Sequence, residues 1–372
     1  MKKNRCDLLK KIFLTIFILF LVISGFTIGN NFAGLSFDYK NNIFNIKNNK
    51  VPTIASENIK IIPSGQSIGV KLYTDGILVV GYSDIQTKSG KKLSPAAEAG
   101  IQVGDSLIEA NDIKIGSNKQ LYSIINENKN KEIKFKIKRN DEDIYVKLSP
   151  IYADNDEAYK IGLWVRDSTA GVGTLTFYIP DSQKFGALGH PINDSDTNTL
   201  LKIKDGSVYS SKIISIEQGT KGKPGELRGI FSQSDEFGKI DKNTNEGIYG
   251  KIINNDKIGS VKGAMGVAKQ SEIKEGPAKI LTSIDDGNIK EYDIEIEKIN
   301  YQTKPGSKSM VIRVTDKELL EKTGGIVQGM SGSPIIQNDK VVGAVTHVFV
   351  NRPDMGYAIY IEWMLMQMGI CI

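Results

Sequence analysis

Histidine and cysteine are scarce in this chain, which has two of each among 372 residues. Cys6 lies in a basic N-terminal segment and Cys371 is next to the last residue, so we expect no disulfide within the chain. His190 and His347 are the only imidazoles, and an HExxH zinc motif is absent. A reaction that needs histidine must use one of these two, and we predict neither a metal site nor a cofactor.

Charge is also scarce outside one short segment. The first eleven residues hold five cations and Asp7, and therefore carry +4 of the formal net charge of +5. The nearly neutral remainder excludes the broad basic surface that nucleic-acid binding requires. No charge follows until Asp38, and the apolar run 12–28 would be about 25 Å long as a helix, close to the thickness of a bilayer core.

We interpret residues 1–30 as a cytoplasmic basic flank followed by a transmembrane anchor, which places the bulk of the chain outside the membrane. A cleaved signal peptide is the alternative, but the apolar run is long for one and no A-x-A cleavage site follows it. Residues 31–58 are rich in Asn and Lys without a sustained period, and are predicted to be a flexible tether.

Residues 59–150 alternate short strand-like runs with helical signals. Runs at 67–72 and 76–82 precede the sequence Ser-Pro-Ala-Ala-Glu-Ala-Gly-Ile-Gln-Val-Gly-Asp at 94–105. Residues 118–128 are predicted to form an amphipathic helix, because their apolar side chains recur at helical spacing. An alternating run follows at 133–137 and indicates a strand with one wet face.

This order of elements, and above all the 94–105 run, resembles a PDZ domain of the bacterial protease-associated kind. The resemblance implies that Ile68, Gly69 and Val70 lie at a carboxylate-binding loop. It also implies that the 118–128 helix flanks a groove in which a peptide binds as an added strand. The alternative is that 95–104 is only a helix with a glycine cap.

Residues 151–372 are rich in glycine and in short strand-like runs, which favours a β-barrel or sandwich. One helix is predicted after Thr315, where Thr315 and Glu318 have the spacing of a capping box and Gly324 marks the end. The fold class predicted for the whole chain is therefore mainly β, with the anchor, the PDZ domain at 59–150 and a β-rich domain at 151–372.

Glycines flank a serine in the sequence Gly-Met-Ser-Gly-Ser-Pro at 329–334. They allow the backbone to turn sharply and leave its N–H groups exposed. The N–H groups of Gly329 and Ser331 can then converge on one point, as in the oxyanion hole of a serine peptidase. The pattern indicates Ser331 as a candidate nucleophile.

A nucleophilic serine requires a base, and imidazole titrates near neutrality without special tuning. His190 ends a strand-like run and is the first candidate, with a simple Gly-His-Pro turn as its alternative. We interpret His347 as a packed residue or pocket wall, because strand alternation places it with Val345 and Phe349. Ten aspartates lie between His190 and Ser331, and spacing does not select one as the orienting acid. Asp316 has an ordinary role available at a helix N-terminus.

Segments 164–167, 170–177, 185–190 and 328–336 resemble the stage IV sporulation protein B serine peptidases, as do 342–350, 356–357 and 361–364 near the C-terminus. The resemblance implies a chymotrypsin-like peptidase in which His190 is the base, Asp316 the orienting acid and Ser331 the nucleophile, with Gly329 and Ser331 forming the oxyanion hole.

The same resemblance implies a serine endopeptidase anchored in the forespore membrane, with its bulk in the space between the two forespore membranes. Its expected substrate is a regulatory subunit of a membrane-embedded metalloprotease complex, and cleavage of this subunit leads to activation of the late mother-cell sigma factor. Self-cleavage near the N-terminus is expected within the tether. Two alternatives remain: a PDZ adaptor with a non-catalytic peptidase-like domain, and a general envelope quality-control protease.

Overall fold

The computed structural model describes residues 35–38, 43–46 and 59–372, apart from 89, 91, 286 and 287. The predicted anchor and most of the predicted tether lie outside the described residues. Within the described residues, no helix has the length and apolar character needed to cross a bilayer.

Strands make up most of the described chain. In chain order they are β1 Leu35–Asp38, β2 Ile43–Ile46, β3 Lys60–Pro63, β4 Ser67–Tyr82, β5 Ile85–Gln86, β6 Lys92–Leu93, β7 Ser106–Ala110, β8 Ile113–Lys114, β9 Ile133–Arg139, β10 Glu142–Leu148, β11 Ile151–Ala153, β12 Ala158–Lys160, β13 Leu163–Ile179, β14 Lys184–Ala187, β15 Ile203–Ser210, β16 Lys212–Glu217, β17 Glu226–Ile230, β18 Glu236–Thr244, β19 Gly247–Ile252, β20 Met265–Val267, β21 Gly276–Ser283, β22 Ile289–Ile299, β23 Met310–Val314, β24 Pro334–Gln337, β25 Lys340–Phe349 and β26 Arg352–Tyr360. The α-helices are α1 Pro95–Glu98, α2 Asn118–Asn128, α3 Lys317–Thr323 and α4 Ile361–Gln367.

Six antiparallel strands close into a first barrel in the order β4, β15, β18, β19, β14 and β13, which pairs again with β4. Alternate side chains of each strand point inward, so Ile68, Val70 and Leu72 of β4 are buried together. They meet Phe185 and Phe237 from other strands of the same ring.

A second barrel closes in the order β21, β22, β23, β26, β25 and β24, which pairs again with β21. Its core includes Tyr292, Ile312 and Tyr360, all nearly or fully buried. β3 connects the rings, because it pairs with β13 of the first barrel and with β20, which in turn pairs with β25. Two antiparallel barrels agree with the predicted chymotrypsin-like class.

The PDZ unit is inserted between β4 and β13. The second half of β4 leaves the first barrel at Gly76 and pairs with β7, which pairs with β9, which pairs with β10. α2 begins after Ser117, whose hydroxyl accepts the N–H of Gln120, and it buries Leu121, Ile124 and Ile125 as predicted. These side chains complete a core that is separate from those of the barrels.

The border between the PDZ unit and the peptidase differs from the predicted one at 150/151. β4 and β13 are long strands that run through both units and pair with each other over most of their length. Residues 67–74 therefore belong to the first barrel, whereas Ile161, Leu163 and Val165 pack on the PDZ core. The packing of the PDZ unit thus extends past the predicted border, because two paired strands belong to both units.

The helix after β23 begins one residue later than predicted. Asp316, and not Thr315, is the N-cap of α3, and its Oδ1 accepts the N–H of Leu319 at 3.0 Å. Gly324 ends the helix with φ of 73° and donates its N–H to Leu320, as predicted.

Candidate active site

Ser331 lies in the loop between α3 and β24, and this loop is held through its backbone. Thr174 of β13 donates its N–H to the Ser331 carbonyl at 3.0 Å and its hydroxyl to the Gly329 carbonyl at 2.8 Å. Gly329 and Gly332 both have φ of 98°, a left-handed conformation that favours glycine. A Cβ on Gly332 would come within 2.2 Å of the Thr174 carbonyl oxygen. Both glycines that flank the serine are therefore required by the shape of the loop.

The backbone N–H groups of Gly329 and Ser331 donate no hydrogen bond to any other described residue. Their neighbours are bonded: Gln328 donates to Gly225, and Gly332 donates to Val345. Unpaired N–H groups beside a candidate nucleophile are what an oxyanion hole requires.

His190 follows β14 of the first barrel and faces the same cavity as Ser331. The two residues before it, Leu188 and Gly189, have φ of 69° and 71°. A leucine in the left-handed region costs about 1–3 kcal/mol, and such strain often occurs at functional sites. The imidazole that follows these two residues lines the cavity together with Ser331.

The His190 ring is held by one hydrogen bond, with Nδ1 2.8 Å from the carbonyl oxygen of Pro191. A carbonyl only accepts, so Nδ1 carries the proton and Nε2 is left as the basic nitrogen. Burial lowers the pKa of His190 from 6.5, and the bond to Pro191 partly opposes this shift. The imidazole is thus neutral at neutral pH, as a general base must be.

Ser331 is not hydrogen-bonded to His190 in this structure. Its Oγ donates to the Thr346 carbonyl at 2.8 Å. Reaching the imidazole requires a rotation about χ1 and the loss of one hydrogen bond, which is worth about 1 kcal/mol net. The geometry is that of a resting site, and contacts of this kind commonly tighten only when substrate is bound.

His347 lies beside His190, with ring centroids 5.2 Å apart, and it is exposed. The interpretation of His347 as a packed residue or pocket wall is wrong, because the residue is exposed and is not part of the lining of the cavity. A register shift between Val345 and His347 interrupts the alternation of β25, so Val345 and Thr346 are both buried and His347 turns outward. Desolvation, together with the charges of His190 and Lys308, lowers the pKa of His347 to about 4.

Asp316 is engaged at the start of α3. Besides capping the helix, its carboxylate accepts the N–H of Asp293 at 3.3 Å. In the part of the chain that the structure describes, Asp316 forms no hydrogen bond with either imidazole. The structure thus brings Ser331, Gly329 and His190 together but not Asp316, and the Pro191 carbonyl occupies the place at Nδ1 that an acid would take.

The cavity between Ser331 and His190 has a volume of about 330 Å³. Apart from the histidine, its lining contains no ionisable side chain: Val70, Thr169, Ala170, Gly171, Val172, Leu188, Pro191, Ile192, Asn193, Gln328 and Gly329. Such a lining suits an uncharged substrate side chain, because a charged one would lose its hydration without a partner.

Ile68, Gly69 and Val70 do not form a carboxylate-binding loop. They lie near the start of β4, where Gly69 is paired with Val172 on one side and with Tyr209 on the other. A Cβ on Gly69 would come within 2.2 Å of the Phe231 ring, so this glycine makes room for an aromatic side chain. The prediction is wrong because a barrel strand can carry the same apolar-Gly-apolar pattern.

A second cavity of about 250 Å³ lies in the PDZ unit between α2 and the start of β13. Leu121, Tyr122 and Ile125 form its helical wall, and 160–165 forms the other. Gly162 in that segment has φ of 80°. The sequence Ile161-Gly162-Leu163 has the same apolar-Gly-apolar pattern as Ile68-Gly69-Val70 and lines this cavity. It is the sequence signal for the cavity that sequence reasoning missed.

Two family models match this chain, one over the domain that contains Ser331 and one over the PDZ unit. The SpoIVB peptidase S55 family model matches residues 157–365, more than half of the chain, and a PDZ domain model matches residues 68–149. The first match contains both Ser331 and His190, and the second contains α2. These matches show a serine peptidase that carries a PDZ domain.

Three solved structures show weaker similarity. The PDZ domain of the SdrC-like protein from Listeria monocytogenes is 20% identical over 24% of this chain and 87% of that chain, with a TM-score of 0.20. The Rv3671c protease from M. tuberculosis in its active form is 14% identical over 54% of this chain and 74% of that chain, with a TM-score of 0.33. Its inactive form is 13% identical over 53% and 83%, with a TM-score of 0.31.

Proposed function

Because the chain belongs to the SpoIVB peptidase S55 family, we propose that it is a signalling endopeptidase in which Ser331 is the nucleophile and His190 the general base. The observation that carries this proposal is the shared cavity: it holds the serine, a neutral imidazole with a free Nε2, and two unpaired N–H groups. Acyl transfer needs these groups and no others at the reacting carbonyl.

The proposed reaction begins when Ser331 Oγ leaves Thr346 and attacks a peptide carbonyl, while His190 Nε2 takes its proton. The N–H groups of Gly329 and Ser331 stabilise the oxyanion of the tetrahedral intermediate. His190 then protonates the leaving amine and the C–N bond breaks. Water repeats the sequence on the acyl-enzyme, releases the carboxylic acid and restores the serine.

A fluorophosphonate tests the catalytic part of the proposal, because it reacts covalently with an activated serine. We expect labelling of the parent protein and loss of labelling in Ser331→Ala and in His190→Ala. Ser333→Ala is the matched control, since Ser333 is two residues away, buried, and bonded to the Met330 carbonyl. Loss of the nucleophile is expected to lower peptide hydrolysis by about a millionfold.

Two results would contradict the assignment. Ser331→Ala protein that hydrolyses peptides at more than about a thousandth of the parent rate would exclude Ser331 as nucleophile. A folded parent protein that never reacts with the fluorophosphonate would favour the adaptor alternative, in which the PDZ unit sequesters a partner.

For the substrate, we propose a regulatory subunit of a membrane-embedded metalloprotease complex, cleaved in the space between the forespore membranes during sporulation. Family membership supports this assignment. The apolar segment 12–28 also supports it, because as a membrane anchor it would place the peptidase beside a membrane-embedded complex. Self-cleavage within 31–58 is part of the same proposal. The protein needs neither metal nor cofactor for the chemistry proposed.

Co-expression with candidate subunits and mapping of the cleaved bond tests the substrate. We expect one defined cleavage that disappears with Ser331→Ala. Digestion of casein and of many unrelated envelope proteins at similar rates would instead support a general quality-control protease.

A further inference from the structure

Arg166 lies in β13 at the border between the PDZ unit and the first barrel. Its guanidinium donates to the Asp194 carboxylate at 2.6 Å, to the Asp196 carboxylate at 2.5 Å and to Ser195 Oγ at 3.0 Å. The Asp194 side chain is fully buried and that of Arg166 is 27% exposed. Charged hydrogen bonds from a guanidinium to a buried carboxylate fix both the distance between the two groups and their relative orientation.

Asp194 belongs to the loop that begins at His190. Its Oδ1 accepts the N–H groups of Asp196 and Thr197 at 3.0 and 2.9 Å, so the carboxylate folds the loop around itself. The imidazole of His190 is held only by Pro191 within this loop. The loop is attached by Asn243 at Ile192 and by Arg166 at Asp194, so the position of His190 relative to Ser331 depends on both attachments.

The other side of Arg166 is the peptide groove. Leu163, Trp164 and Val165 form one groove wall and directly precede Arg166 in the strand. The next residue, Asp167, accepts the N–H of Asn118, the first residue of α2, at 2.8 Å. Arg166 therefore holds the His190 loop, and Asp167 holds the start of α2. The other groove wall, 163–165, directly precedes these two residues in β13.

We propose that Arg166 is a positioning residue. It holds the His190 loop where the imidazole can reach Ser331, and Arg166 is itself held in place because its strand, β13, also forms a wall of the PDZ groove. The inference rests on the proposed function, since it requires His190 to act as the base. Removing the guanidinium leaves Asp194 as a buried carboxylate without its countercharge, so the loop must rearrange. A displacement of about 1 Å in a catalytic group can lower the rate on the order of a hundredfold.

The test compares Arg166→Gln with Arg139→Gln in the full-length protein. Arg139 forms a similar fork with Asp105, with side-chain exposures of 25% and 1%, but that pair lies wholly inside the PDZ unit. The measurement is the second-order rate constant for fluorophosphonate labelling of Ser331, determined on the folded fraction.

We expect Arg166→Gln to slow labelling at least about tenfold, Arg166→Lys to fall between it and the parent, and Arg139→Gln to label at close to the parent rate. A purely structural role of Arg166 would reduce the fraction of protein that is labelled at the end point and leave the rate constant unchanged. The rate constant therefore separates positioning from folding.

Should Arg166→Gln fail to fold, Asp196→Asn is the second variant. It removes the ion pair between Arg166 and Asp196, whose side chain is 48% exposed, and it should slow fluorophosphonate labelling less than Arg166→Gln does. Parent-like labelling of folded Arg166→Gln or Asp196→Asn would overturn the inference, as would equal slowing by Arg139→Gln. In those cases the proposed function stands, because the parent is labelled. Absence of labelling in the parent would overturn both.

Discussion

The candidate catalytic cavity and the candidate peptide groove of the PDZ unit share strand β13, yet they are built in different ways. Val172 lines the first and Trp164 lines the second. The catalytic cavity depends on the backbone: left-handed glycines, unpaired N–H groups and a carbonyl that holds the base. The groove depends on side chains, including Trp164 and Tyr122, which are 64% and 57% exposed. A backbone-built site tolerates little change in conformation, whereas a wall of exposed side chains can change without disturbing the fold.

The largest effect expected from this difference is that of Gly332→Ala. The new Cβ would meet the Thr174 carbonyl oxygen and the Leu188 N at 2.2 and 2.6 Å, in a backbone conformation that alanine avoids. The Ser331 loop must shift, and with it the oxyanion N–H groups. Loss of one such donor lowers kcat by about a hundredfold to a thousandfold, and we expect a loss of this size in peptide hydrolysis.

Gly266→Ala is the matched control, because no atom lies within 4 Å of a Cβ there and its φ is not left-handed. Equal activity of the two variants would mean that the serine loop is not defined by its backbone.

The next effect is that of pH on the catalytic cavity alone. Since burial lowers the pKa of His190, labelling of Ser331 should be constant at neutral pH and fall about tenfold per pH unit below a midpoint under 6.5. His347→Gln should leave labelling at neutral pH unchanged, because the pKa of His347 is about 4 and its ring is neutral there. A midpoint above 7 would contradict the buried, neutral base.

The free energy of unfolding should also fall as the pH falls. A histidine whose pKa is lower in the folded than in the unfolded protein contributes its full stability above pH 6.5. As the pH falls toward the folded pKa, the unfolded chain takes up protons first and this contribution is lost. Unfolding followed by denaturant at pH 7 and pH 5 measures the difference, which His347→Gln should reduce.

A smaller effect is expected at Asp316, which belongs to neither cavity. Asn caps a helix as well as Asp does but has one acceptor oxygen fewer, so Asp316→Asn should retain close to the parent activity and lose only the hydrogen bond from Asp293, worth about 1 kcal/mol. Asp316→Ala should lower the free energy of unfolding by about 1 kcal/mol through loss of the cap. Should Asp316→Asn instead lower kcat about ten-thousandfold, as loss of a triad acid does, the orienting role implied by the family resemblance would be established.

The smallest effect on the fold is expected for the groove. Trp164→Ala should change the free energy of unfolding by no more than about 0.5 kcal/mol and leave fluorophosphonate labelling intact, because the side chain is mostly exposed. Tyr301→Ala, at an aromatic that is 73% exposed and outside the groove lining, is the control. A large loss of stability in Trp164→Ala alone would show that the groove wall is structural.

Sequence reasoning succeeded where local chemistry determines structure. The helix 118–128 and its buried face followed from apolar spacing, and the serine turn followed from two glycines whose conformation few other residues adopt. Gly324 ended its helix for the same reason. The prediction of a carboxylate-binding loop at 68–70 failed because barrel strands also carry an apolar-Gly-apolar pattern, and only strand pairing shows that this segment belongs to the first barrel.

The sequence by itself determined the candidate nucleophile, the shortage of histidines that limits the candidate bases to His190 and His347, and the mainly β class, because each depends on residue type or short-range spacing. The tertiary structure alone decided three other features: the insertion of the PDZ unit between paired strands, the outward turn of His347 at a register shift, and the link from Arg166 to the His190 loop. These depend on contacts between residues far apart in the chain, whose geometry is fixed only when the strands pair and the barrels close.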